Sequence, residues 1–168
     1  MAALTLVHVL ISLVGIVSGF VVVFGLLAAK RLNRWTAIFL ITTVLTSVTG
    51  FLFFPFHKLL PSHIVGTISL LVLAVAIFAR YARRLAGAWR SVYVVTATLA
   101  LYFNVFVLVV QSFLKVPALK ALAPTQSEPP FAIVQGLVLL LFIVLGTFAV
   151  KRFRIDALAA AAAASTTR

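Results

Sequence analysis

The chain has no cysteine and only two acidic residues, Glu128 and Asp156, among 168. The first absence removes disulfides, thiolate metal ligands, covalent haem thioethers and cysteine nucleophiles. The second removes the paired carboxylates of general acid–base catalysis. No phosphate-cradling glycine loop, nucleophile elbow or paired-histidine zinc helix is present either, so an independent enzyme is not the expectation. Long polar stretches are also missing. Residues of the set AVILMFWYC make up 64% of the chain and mean hydropathy is +1.26, against about 45–50% apolar content in soluble domains. No soluble fold of this size has an interior large enough to hide that surface, so lipid has to be the solvent.

What is present fits that solvent. Five apolar runs lie at roughly 4–28, 35–56, 63–80, 91–114 and 131–150, each near the 20 or so residues that a hydrocarbon core requires. A backbone in lipid must satisfy its own hydrogen bonds, so each run is read as a helix. The expected fold is all-α: one domain over 1–156 built as a bundle of five transmembrane helices, followed by an alanine-rich tail at 157–168. Arg80, Arg83 and Arg84 are expected to carry the third helix into the headgroups by snorkelling. The first run is read as a retained anchor, because it exceeds a signal core and no Lys or Arg precedes it. The four prolines at 117, 124, 129 and 130 argue against a continuous helix through the 115–130 connection, and Pro129 suits the first turn of the last helix.

The net charge of +12 would suggest nucleic acid in a soluble protein. Here Lys and Arg sit in short clusters between apolar runs, which is a topogenic pattern rather than a nucleic-acid footprint. Eleven of the fourteen fall on one side: Lys30, Arg31 and Arg34; Arg80, Arg83, Arg84 and Arg90; Lys151, Arg152, Arg154 and Arg168. Only Lys58, Lys115 and Lys120 fall on the other. The positive-inside rule then places the N-terminus outside and the C-terminus in the cytoplasm, with anionic lipids as partners of the basic face. Trp35, Tyr81, Trp89 and Tyr93 mark the same boundary as interfacial anchors.

Polar residues within the spans are few. His8, Ser12, Gly15 and Gly19 step by four, three and four, so they share one face of the first helix. The Gly15 and Gly19 spacing lets helix backbones approach closely, within the bundle or, alternatively, in a homo-oligomer or larger membrane complex. At about 1.5 Å per residue, His8, Gln111 and Gln135 lie on the order of 5 to 8 Å below the outer boundary. His57 and His63 flank the first outer turn, between the second and third helices, and Glu128 sits just above Gln135 in sequence. These six residues form the candidate ligand site, a polar pocket open to the outside. A bland alternative is that they only tie the helices together. Within the pocket reading, His8 and His63 suit the axial positions of a haem b in an electron-transfer protein. A divalent metal would use the imidazoles with Glu128, and a quinone or other small amphiphile would lie among Phe51, Phe53, Phe54 and Phe56. The polar stripe Thr36, Thr43, Ser47 and Gly50 reads as close helix packing. The leading class is a binding or accessory subunit. A small transporter or channel is the alternative, disfavoured by the lack of an internal repeat and of any charged residue at the centre of a span.

The stretch Tyr102-Phe-Asn-Val-Phe-Val-Leu-Val-Val-Gln-Ser-Phe-Leu-Lys115, with Ala123-Pro-Thr-Gln-Ser-Glu-Pro-Pro-Phe131, resembles a group of small, uncharacterised bacterial inner-membrane proteins. The resemblance extends over most of the chain before the alanine tail. It implies a location in the inner (plasma) membrane and brings no activity, cofactor or residue role.

Overall fold

The structure, a computed structural model, describes residues 2–52 and 61–166, with side chains described for 4–51 and 64–153. Among the described residues every regular element is a helix: α1 (Ala2–Leu27), α2 (Asn33–Leu52), α3 (Pro61–Ile77), α4 (Trp89–Lys115), α5 (Pro117–Leu122) and α6 (Pro129–Thr166). Five of them are long and apolar enough to span a membrane, α3 counting together with the π-helical turn Phe78–Ala82 that prolongs it. This is the architecture of a multi-pass membrane protein.

Each spanning helix starts two residues before its apolar run. The reason is local: the first turn of a helix has N–H groups with no intrahelical acceptor, so Asn33 or a proline such as Pro61 or Pro129 is tolerated there. The end of α3 differs from expectation. Arg80 lies in the π turn, but Arg84 (φ 48) and Leu85 (φ 60) adopt left-handed backbone, so the helix does not continue through the arginines. Left-handed residues other than glycine cost about 1–2 kcal/mol each; Leu85 is held there by burying its side chain in the core. The 115–130 connection does break where proline demands it. Val116 is extended (φ −86, ψ 116) because Pro117 follows it, and a six-residue helix, α5, then starts on that proline. At the other extreme, α6 runs for 38 residues without interruption through the 150 and 156 boundaries, since alanine is the best helix former.

The spanning helices form a closed ring. α1 packs on α2, α2 on α3, α3 on α4, α4 on α6, and α6 back on α1, while α1 and α4 also touch across the centre. α1 and α4 are therefore the most buried of the spans, and Ala97 and Ala100 of α4 let neighbours approach. The continuous core lies toward the basic end, from Val22 and Leu26 on α1 to Ala149 and Phe153 on α6. That end gathers the α1–α2 turn, the α3–α4 turn and the basic part of α6.

Candidate functional site

Side-chain hydrogen bonds between helices form a series of rungs along α2. At the basic end Arg80 Nη2 donates to Asn33 Oδ1 at 2.6 Å. One turn deeper, the Tyr93 hydroxyl donates to Thr36 Oγ1 at 3.5 Å, both side chains buried. In the middle, Asn104 Nδ2 donates to Thr43 Oγ1 at 3.1 Å, with Thr43 0% and Asn104 8% exposed. Ser47 bonds Ser69 of α3 at 3.4 Å. Near the opposite end, His8 Nδ1 and Thr49 Oγ1 are 2.7 Å apart. The stripe Thr36, Thr43, Ser47 on α2 thus meets α4 and α3 through hydrogen bonds. Close packing alone would not have required donors opposite the hydroxyls.

Gly15 and Gly19 face this column. A Cβ at Gly15 would stand 3.4 Å from Thr43 Oγ1 and 3.6 Å from Asn104 Nδ2. One at Gly19 would stand 2.5 Å from Leu101 Cδ1 and 2.9 Å from Phe39 Cε2. The glycines therefore bring α1 against α2 and α4 inside the chain's own bundle, and the Asn104–Thr43 bond closes the centre.

The six candidate ligand residues distribute as follows. His8 turns to α2, where its ring also lies 3.8 Å from the Cβ position of Gly50. Gln135 Nε2 donates to the Phe106 carbonyl of α4 at 3.2 Å, while its Oε1 is buried with no partner among the described residues. Gln111 is half-buried, and among the described residues no hydrogen bond joins His8, Gln111 and Gln135 to one another. His57, Phe53, Phe54 and Phe56 lie outside the described residues, as does the side chain of His63. Among the described residues no three His, Asp or Glu side chains gather as metal ligands.

Glu128 caps α6. Its carbonyl accepts from Phe131 N at 3.2 Å, and its carboxylate accepts from Thr125 Oγ1 at 2.9 Å and from the N–H groups of Thr125 and Ser127 at 3.1 Å. Dehydration opposes the charge, but the bonds from Thr125, its own N–H and Ser127 outweigh it and hold the carboxyl below its ordinary value. The sign follows: the loop is stabilised above the ordinary carboxylate range, and that stabilisation is lost as pH falls through the lowered value. Protection of the amides at residues 125–128 relative to their intrinsic exchange rates is accordingly expected to fall on acidification, and to be low in Glu128→Gln already at neutral pH. Protection in the parent chain that does not change with pH would exclude this role for Glu128.

Sequence reasoning passed over one feature, a groove of about 270 Å³ between α4 and α6, lined by Val95, Thr98, Leu99, Tyr102, Leu139, Phe142, Ile143, Gly146 and Thr147. Its lining is almost wholly apolar. Leu139 is one turn from Gln135 on α6, and Tyr102 one turn from Phe106 on α4, so the groove ends beside the buried amide. The signal available in the sequence was Gly146, which leaves room beside Thr98. No protein family, curated protein or solved structure matches the chain, so its chemistry is read from this geometry.

Proposed function

We propose that the chain is a binding or accessory protein of a bacterial inner membrane, N-terminus outside, that takes a small amphiphile between α4 and α6, its polar head toward the outer side at Gln135 and its apolar body reaching inward. The observation that carries this reading is Gln135 Oε1, a buried acceptor without a donor among the described residues, at the end of an apolar groove. An unpaired polar group in an apolar setting costs several kcal/mol. An amphiphile with an apolar body in the α4–α6 groove and a hydroxyl or N–H at its head would relieve that cost. Cross-linking with a long-chain alcohol bearing a photoreactive group should label α4 and α6, and Gln135→Leu should weaken labelling about threefold to tenfold, the range set by one hydrogen bond in lipid. Labelling spread evenly over all helices would refute the groove. The alternative of a pore is opposed by the centre of the bundle, where Asn104 meets Thr43 and Leu101 and Phe39 fill the space over Gly19. The haem reading rests on His8 and His63, and an absorption spectrum of the gently purified protein decides it: a Soret band lost in His8→Ala supports haem.

Orientation is supported by the distribution of basic residues. A reporter fused after Arg168 is expected to read cytoplasmic, and one inserted at Thr125 external. A cytoplasmic reading at Thr125 overturns the orientation.

A further inference from the structure

Among the described residues, the basic end carries guanidinium groups that are held in place and left short of acceptors. Arg80, bonded to Asn33, has its Cζ 5.2 Å from the Tyr93 ring centroid. Arg83 lies over Trp89 at 5.2 Å, and Arg90 over Phe153 at 5.7 Å. Stacking fixes the planes of these groups but consumes none of their in-plane N–H donors. Arg90 Nε is buried without a hydrogen-bond partner among the described residues. The acidic side chain that the structure describes, Glu128, is committed to the loop at the other end.

The depth of the cluster identifies the acceptor. Trp89 packs edge-on against Phe78 at 5.2 Å, and Tyr81 is exposed beside them, the arrangement of an aromatic belt at headgroup level. A guanidinium fork at that level matches a phosphate bidentately, and the described Lys30, Arg31, Arg34, Arg84, Lys151 and Arg152 add positive charge at this end. We propose that Arg80, Arg83 and Arg90, positioned by Tyr93, Trp89 and Phe153, form a headgroup site for an anionic phospholipid. Its phosphate accepts from the free edges of the guanidiniums, and its acyl chains run down the exposed apolar faces of α3 and α4. The site does not depend on the amphiphile groove, which lies between α4 and α6.

Trp89 is a built-in reporter, because Trp35 is the only other tryptophan. The full chain carrying Trp35→Phe is reconstituted in phosphatidylcholine vesicles that contain a minor fraction of phosphatidylglycerol, with bromine on the acyl chains of one lipid or the other at equal total bromine. Brominated phosphatidylglycerol is expected to quench Trp89 several-fold more than brominated phosphatidylcholine, whichever leaflet the site faces. The combined change Arg80→Gln, Arg83→Gln and Arg90→Gln should remove the excess. Lys30→Gln, Arg31→Gln and Arg34→Gln, which remove the same charge from the neighbouring turn, should leave most of it. Equal quenching by both lipids in the parent chain overturns the site, and so does an equal loss in both triple variants, since that describes diffuse attraction. If the first triple variant does not fold, Arg83→Lys keeps the charge without the planar stack; full quenching there counts against the proposal.

Discussion

Gly19→Leu is expected to separate α1 from α2 and α4 and to lower the stability of the bundle more than any other single change in the spans. Even one added carbon would stand 2.5 Å from Leu101 Cδ1 and 2.9 Å from Phe39 Cε2. Both neighbours are fully buried, so neither can swing into free space. Overpacking of this kind costs about 1–3 kcal/mol for a small addition, which sets the scale for Gly19→Ala. Leucine adds three further carbons at the same point and should exceed it. Lipid-embedded helices associate by close packing, without a hydrophobic drive from water, so loss of the contact has nothing to offset it. The check is equilibrium unfolding in mixed detergent micelles, with Gly136→Ala as control. No atom lies within 4 Å of a Cβ at Gly136, so that variant should unfold like the parent. Equal behaviour of the two glycine variants would mean that the α1 contact does not limit stability.

Asn104→Ala is expected to destabilise the bundle by about 1–3 kcal/mol, the cost of leaving a buried group unpaired together with a small void. Asn104 joins Thr43 at 3.1 Å where α1, α2 and α4 meet. A double-mutant cycle with Thr43→Val isolates the bond. Interhelical hydrogen bonds in membranes average about 0.6 kcal/mol and reach about 1.7 kcal/mol. The near-complete burial of both partners puts this one at the upper end. A coupling indistinguishable from zero would show that packing over Gly15 holds the three helices, with the hydrogen bond incidental.

The spans, the broken 115–130 connection and the start of α6 at Pro129 were all readable from the chain. Each depends on residues close in sequence: an apolar run of membrane length, a proline that forbids helix before it, a cap that tolerates proline. The end of α3 was not readable, because Arg83 and Arg84 are ordinary helix formers. Burial of Leu85 is a tertiary event that turns the backbone left-handed there.

The candidate site shows the same division. Depth along each helix was countable, and it brought His8, Gln111 and Gln135 to one level. Which way each side chain points was not countable. The structure gives His8 to Thr49 and Gln135 to the Phe106 carbonyl, and it joins Asn104 to Thr43, a pair that depth alone did not suggest. In water an amphipathic stripe reveals the buried face of a helix. In lipid the outward face is as apolar as the inward one, as exposed Leu137 and Leu140 on α6 beside buried Phe142 illustrate. Hydropathy therefore determined how often the chain can cross, and the distribution of Lys and Arg set the orientation we propose. Rotation of each helix, and with it the choice of polar partner, was decided by the close packing of Gly15, Gly19, Ala97 and Ala100, because only small residues let two backbones approach.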